Sequence, residues 1–160
     1  MERTHDLPTD APARVTAGDT EEATDPRLSL VLFSGTDDKL NAAAVLTAGA
    51  AAIGRPVHLF LQYWALESFR ADRIADDHGL APEAGPEGRY AVTALLAAGQ
   101  APWHETLRQA KELGEVEIQA CSLSMDLLHI TEADLDPLVD GVEGVTAFWL
   151  AAGEGQVVFI

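Results

Sequence analysis

A three-layer α/β/α fold, with a mostly parallel sheet of four to five strands, is predicted by three features of the sequence. Short apolar runs of strand type alternate with helix-like stretches from residue 28 onward. The runs are almost wholly apolar, as expected for strands covered on both faces. Glycine and proline separate the segments, so each strand is followed by a loop and then a helix.

Length and composition bound the rest. The 160 residues suit one domain, and 48% hydrophobic content suits a globular one. No apolar run approaches the roughly 18 to 20 residues of a membrane helix, and Met1 to Asp6 open a polar segment without a signal-peptide core. A cytoplasmic protein without stable membrane insertion is the expectation. A formal charge of −16 with only two lysines, Lys39 and Lys111, argues against nucleic acid as a partner. The acidic bias fits either a high-salt cytoplasm or a GC-rich genome.

Residues 1–27 are rich in Pro, Thr, Asp, Glu and Ala without periodicity and read as a disordered acidic tail. The folded domain is placed at 28–160. Leu28 to Phe33 is the first strand, and Ser34-Gly35-Thr36-Asp37-Asp38 forms the loop that follows it. Leu40 to Ile53, closed by Gly54, is an alanine-dense helix with a surface suited to the sheet and a second subunit. Asp37 and Asp38 read as capping groups, either of which could face a site. Gly35 lies in neither a GxGxxG nor a GxxxxGK[ST] pattern, so the loop is no nucleotide signature.

Pro56 to Trp64 reads as the second strand, continuing through Ala65 to Arg70. Its aromatic end, Tyr63 and Trp64, could wall a pocket, although aromatic residues more often serve core or subunit contacts. Residues 72–88 form a surface excursion, with a short helix at Tyr90 to Ala98. Pro102 opens a helix with Trp103, Leu107, Ala110 and Leu113 on its buried stripe and Gly114 as its stop. Thr131 to Asp134 resembles a capping box that starts a short helix ended by Gly141. A helix at Thr146 to Ala152 and a strand at Gln156 to Ile160 complete the alternation.

The candidate chemistry lies in Val116 to Leu128, where an apolar-alternating strand gives way to a helix at Cys121, the single cysteine. A sole cysteine excludes an internal disulfide and a four-cysteine zinc site. Free cysteine often just fills a core. Its place at a strand's carboxyl end, where open α/β sheets bind ligands, instead points to a reactive thiol presented to backbone N–H groups. His58, His78, His104 and His129 are too scattered for a zinc motif, and His58 reads as a packed or surface residue. His129 is a possible neighbour of the thiol. Asp134, Asp136 and Asp140 lack the spacing of a calcium loop. No metal or organic cofactor is expected.

Ala120-Cys121-Ser-Leu-Ser-Met-Asp-Leu-Leu-His-Ile130, with Asp140 to Phe148 and the terminal strand, resembles the DsrE/DsrF/DsrH-like sulfur-relay family, in the branch often labelled peroxiredoxin-like. Phe33 to Lys39 and Gln62 to Leu66 resemble that branch's first-strand loop and aromatic strand end. Ala65 and His129 stand where the branch frequently has glycine, and residues 72–98 lack its methionine-rich, basic character. The resemblance implies a homo-oligomer in which Cys121 accepts sulfane sulfur as a persulfide and passes it to a partner protein. Ser122, Ser124, Met125, Gly35, Thr36, Tyr63 and Trp64 are the candidate binding residues around it. The alternative is a non-catalytic oligomeric scaffold or small-ligand-binding module with Cys121 buried.

Overall fold

A computed structural model describes residues 26–160, and the side chain of Leu96 lies outside that description. The proposed tail falls outside the described residues except at its last two positions. These two are tied down: the Pro26 carbonyl accepts from Arg55 Nε at 2.6 Å, and the Arg27 carbonyl accepts from the Gln156 backbone at 3.1 Å.

Five parallel strands form one sheet in the order β4-β3-β2-β1-β5. β1 (Leu28–Leu32) leads through α1 (Asp37–Ala52) to β2 (Val57–Leu61). α2 (Tyr63–Ser68), α3 (Gly85–Ala97) and α4 (Trp103–Leu113) precede β3 (Val116–Cys121). α5 (Ser122–Leu128), β4 (Gly141–Glu143), α6 (Val145–Ala152) and β5 (Gln156–Phe159) complete the fold. The predicted α/β/α architecture is therefore present, with every strand pair parallel.

Alternation along the strands sorts the core. Leu30, Leu32, Leu59, Leu61, Ile118 and Ala120 face α1 and α4, which pack together over that side of the sheet. Val31, Phe60 and Cys121 point to the opposite face and meet Phe148 of α6.

Four boundaries differ from the sequence reading. β2 ends at Leu61, and Tyr63 to Ser68 is a helix instead of a strand continuation. The turn is imposed from outside. A Cβ on Gly35 would fall onto the Trp64 carbonyl, so these two loops meet backbone to backbone, and Tyr63 turns the corner at φ 44°. The Thr131–Asp134 capping box forms, but only a 3-10 turn at Glu132–Asp134 follows it. Gly141 opens β4 instead of ending a helix. Helix α3 begins at Gly85, ahead of the expected Tyr90. Leu113, placed on the buried stripe, is 64% exposed, because at the end of α4 it is Gly114 that comes round to the stripe and meets Ala51 of α1.

The aspartates that loosely suggested a calcium loop are already engaged. Arg108 Nη2 donates to both carboxylate oxygens of Asp136, at 2.9 and 3.1 Å, and Asp140 accepts from Lys111 Nζ at 2.6 Å and from the Ile118 backbone at 2.8 Å. These pairs pin α4 to the segment entering β4.

Candidate functional site

Cys121 is the last residue of β3 and the N-cap of α5, with extended backbone at φ −73° and ψ 116°. The sequence reading of a strand-to-helix junction holds. β3 is second from the β4 edge, and β2 occupies the middle of the sheet. The sulfur is not presented to solvent: Cys121 is 4% exposed and packs with Val31, Phe60 and Phe148. Phe148 stacks on Phe60 with ring centroids 4.9 Å apart, which makes an aromatic cover for this end of the face. α5 has seven residues, and no side-chain hydrogen bond caps its start.

The remaining candidates gather at the carboxyl edge of the sheet but divide among different surroundings. Ser122 is half-buried beside the Gly144 turn. Ser124 is buried with its Oγ unpartnered, so it makes no hydrogen bond to the sulfur. Met125 belongs to the larger core beneath α1 and α4, away from the thiol's apolar cluster. Thr36 is the N-cap of α1, and its hydroxyl meets that of Ser34 at 3.1 Å. The Gly35 carbonyl accepts from Ser68 Oγ at 2.9 Å, which locks the first-strand loop to α2. Tyr63 packs on Phe33, and Phe33 on Phe159, with centroids 5.0 and 5.8 Å apart. Trp64 is 58% exposed, whereas Cys121 is buried. His129 sits at the far end of α5 in the left-handed region, as its C-cap.

Residues that sequence reasoning did not connect lie under α6. Ser29, His58, Glu117, Gln119 and Cys121 project from the same sheet face, and Glu143 joins them because it is the ladder partner of Cys121. Glu143 Oε1 stands 2.8 Å from His58 Nε2, so its side chain crosses β3 to reach β2. The approach leaves both His58 ring nitrogens, Glu143 Oε1 and Ser29 Oγ buried without a hydrogen-bond partner of acceptable geometry. Burial pushes the Glu143 carboxyl up to about 7, with the Glu117 charge adding to the rise and Arg27 opposing it. Burial also lowers His58 below its ordinary value, with Glu117 opposing. A lone histidine in an apolar strand was the available signal, but nothing local named its partner.

A concavity of about 360 Å³ lies between the start of α1, the loop before α3, α3 itself and the start of α4. Trp103 and Asp37 line it, joined by a bond from Trp103 Nε1 to Asp37 Oδ1 at 3.2 Å. Asp37 also accepts from the His78 backbone at 3.1 Å. Burial raises its carboxyl above the ordinary value against the lowering influence of His78. Asp37 thus ties loops together instead of capping α1, and it does face a cavity. None of the other candidate binding residues lines this space.

Residues 24–84 match the DsrE/DsrF/DrsH-like family, which supports the resemblance read from the sequence. Cys121 lies outside that segment. The chain is 29% identical over 152 residues to the uncharacterized protein YrkE of Bacillus subtilis, covering 82% of this chain and 94% of that one. Among solved structures it is similar to a protein of unknown function from Methanobacterium thermoautotrophicum. That likeness has a TM-score of 0.46 at 15% identity, over 85% of this chain and 100% of the other. Among the described residues no helix is long and apolar enough to cross a membrane, and no group of three His, Cys, Asp or Glu side chains could hold a metal.

Proposed function

We propose that the chain, whose residues 24–84 match the DsrE/DsrF/DrsH-like family, is a cysteine-based sulfur carrier. Cys121 takes sulfane sulfur as a persulfide and hands it to a partner protein. The observation that carries this reading is the position of the only cysteine at the carboxyl end of β3, where the chain turns into α5. The first step is displacement at sulfur. The Cys121 thiolate bonds to the outer sulfur of a donor, the donor's S–S bond breaks, and the leaving group departs with the electron pair. With thiosulfate that leaving group is sulfite. Return transfer repeats the displacement, with an acceptor thiolate attacking the outer sulfur of the persulfide.

Access requires Phe148 to move, because it covers the sulfur. α6 has eight residues and runs between Gly144 and Gly153, the latter at φ 52°, so the cover is a short element with glycines at both ends. A homo-oligomer of second copies is supported by the apolar side chains left outside: Leu123 and Leu127 on α5, Trp149 and Leu150 on α6, and Phe159 on β5.

A second reading, a non-catalytic oligomeric scaffold or ligand-binding protein, is favoured by the burial of Cys121 among Val31, Phe60 and Phe148. Intact-mass measurement separates the two. The native protein incubated with polysulfide or thiosulfate is expected to gain about 32 Da, one sulfur on the cysteine oxidation ladder, and Cys121→Ala is expected to gain nothing. Labelling of Cys121 only after denaturation, with no sulfur gain in the folded protein, establishes the scaffold reading instead.

A further inference from the structure

The cavity beside α3 is separate from the thiol, since neither Cys121 nor any residue packed against it lines this space. At about 360 Å³ it has the size of a small-molecule pocket. Leu80, Val92 and Trp103 supply apolar walls, and the start of α1 and the loop before α3 bring in the carboxylates of Asp37, Asp76 and Asp77. Arg89 is the one arginine or lysine in the lining. The balance is anionic.

These carboxylates are not committed to basic side chains. Asp37 accepts from Trp103 Nε1 at 3.2 Å and from the His78 backbone at 3.1 Å, and Asp77 accepts from the Gly79 backbone at 2.8 Å. Among the described residues no ion pair includes Asp37, Asp76, Asp77 or Arg89. Asp72, Asp136 and Asp140, by contrast, each hold an arginine or a lysine. Burial already raises the Asp37 carboxyl, a penalty that a nearby positive charge offsets.

α3 closes the cavity loosely. Its principal contact is with the 3-10 turn Pro82–Ala84 just before it, and glycines at positive φ stand at its two ends, Gly85 at 59° and Gly99 at 83°. Val92 is half-buried and Leu95 is 51% exposed, although both line the cavity. Such a helix gains apolar contact when something fills the space beneath it.

We infer that this cavity binds a small organic cation, with an ammonium group against Asp37, Asp76 and Asp77, an apolar body on Leu80, Val92 and Trp103, and α3 as the lid. Other ligand classes fit less of the lining. A metal ion would leave the apolar walls unused, and among the described residues no three side chains are grouped to hold one. A neutral apolar molecule would strip water from carboxylates without giving them a partner. An anion would meet three carboxylates and one guanidinium. The inference does not depend on the sulfur-carrier reading.

The test is proton–nitrogen correlation NMR of the full-length protein at near-physiological salt, titrated with cyclohexylammonium, cyclohexanol and cyclohexanecarboxylate, which share a shape and differ in charge. The reporter is the Trp103 indole N–H that Asp37 holds. Its signal is identified by elimination with Trp64→Phe and Trp149→Phe, both at exposed positions. The ammonium is expected to shift it saturably at roughly millimolar concentration, as suits so small a ligand, and to slow hydrogen exchange severalfold at the amides of residues 88–97. Cyclohexanol should bind at least roughly tenfold more weakly and the carboxylate not at all. The double variant Asp76→Asn with Asp77→Asn should weaken the ammonium roughly 3- to 30-fold, the range of two partly screened ion pairs. Ala101→Trp, which fills the cavity, should abolish its binding. All three positions are exposed, so the fold is expected to stand.

Equal affinity for the ammonium and the alcohol, or an ammonium affinity unchanged in the double variant, overturns the cation assignment. No response at Trp103, shifts spread over the acidic surface, or a Trp103 shift that survives Ala101→Trp overturns the site itself. A saturable Trp103 response without protection of residues 88–97 overturns the lid. The sulfur gain at Cys121 is read separately by mass, so either reading can fail without the other.

Discussion

Glu143, on the edge strand, ends its side chain 2.8 Å from His58 Nε2, two strands away, and both groups are covered by α6. The pair makes stability depend on pH in a definite direction. The folded carboxyl titrates at about 7, above its ordinary 4.5. The folded state therefore binds the extra proton between those values, and stability from this group is greatest below about 4.5 and lost as pH rises through 7. Glu143→Gln is expected to be more stable than wild type at pH 8, by on the order of 2 kcal/mol, and equal to it near pH 4.5. Thermal unfolding at the two pH values reads the difference. His58 works the opposite way, its depressed value withdrawing stability as pH falls below its ordinary 6.5, and because it touches Glu143 at 2.8 Å the same comparison is repeated in a His58→Gln background to isolate the carboxyl.

Removing the aromatic cover should expose the thiol. Phe148→Ala deletes a fully buried ring stacked on Phe60, at a cost of about 3–5 kcal/mol. Alkylation of Cys121 in the folded state should accelerate more than tenfold. An unchanged rate would mean that Phe148 does not gate the sulfur.

Gly35 is set by space and not by backbone conformation. A Cβ there would overlap the Trp64 carbonyl and crowd Ser68 Oγ at 2.6 Å. Gly35→Ala must separate the first-strand loop from α2 and break the Ser68 to Gly35 bond. A loss of about 2–4 kcal/mol in urea unfolding is expected, the range of overpacking plus a lost hydrogen bond. Gly49→Ala makes the control, since a Cβ there meets nothing within 4 Å.

The apolar exterior of α6 is a separate matter from its interior. Trp149 and Leu150 point away from the sheet and carry no charge near them on the helix. Size-exclusion chromatography with light scattering is expected to show an oligomer for wild type and a smaller species for Trp149→Glu with Leu150→Glu. A wild-type monomer at high protein concentration counts against the homo-oligomer.

Much of the frame could be read from the chain because it is written locally. The runs at 28–33 and 116–121 are apolar or alternating over a strand's length, and Gly54 and Gly114 mark where helices stop. What could not be read was decided elsewhere. Tyr63 and Trp64 favour strands by propensity, yet the chain turns there because Gly35 admits the Trp64 carbonyl. β4 has three residues, too few for any period to register, and its partner β3 supplies its identity. The junction at Cys121 was legible for the same local reason as the strands. Its burial was not, because the cover arrives with Phe148, and the His58–Glu143 contact joins strands that nothing in either segment pairs.

The sheet order also governs how the protein is born. β1 emerges among the first folded residues, but its second neighbour, β5, comes from residues 156–159. During synthesis one flank of β1 therefore stays open until nearly the whole domain has left the ribosome, and Val31 and Phe33 lie along that flank. Such long-range closure is slow, and until it happens the unfinished chain carries an unpaired strand edge open to association.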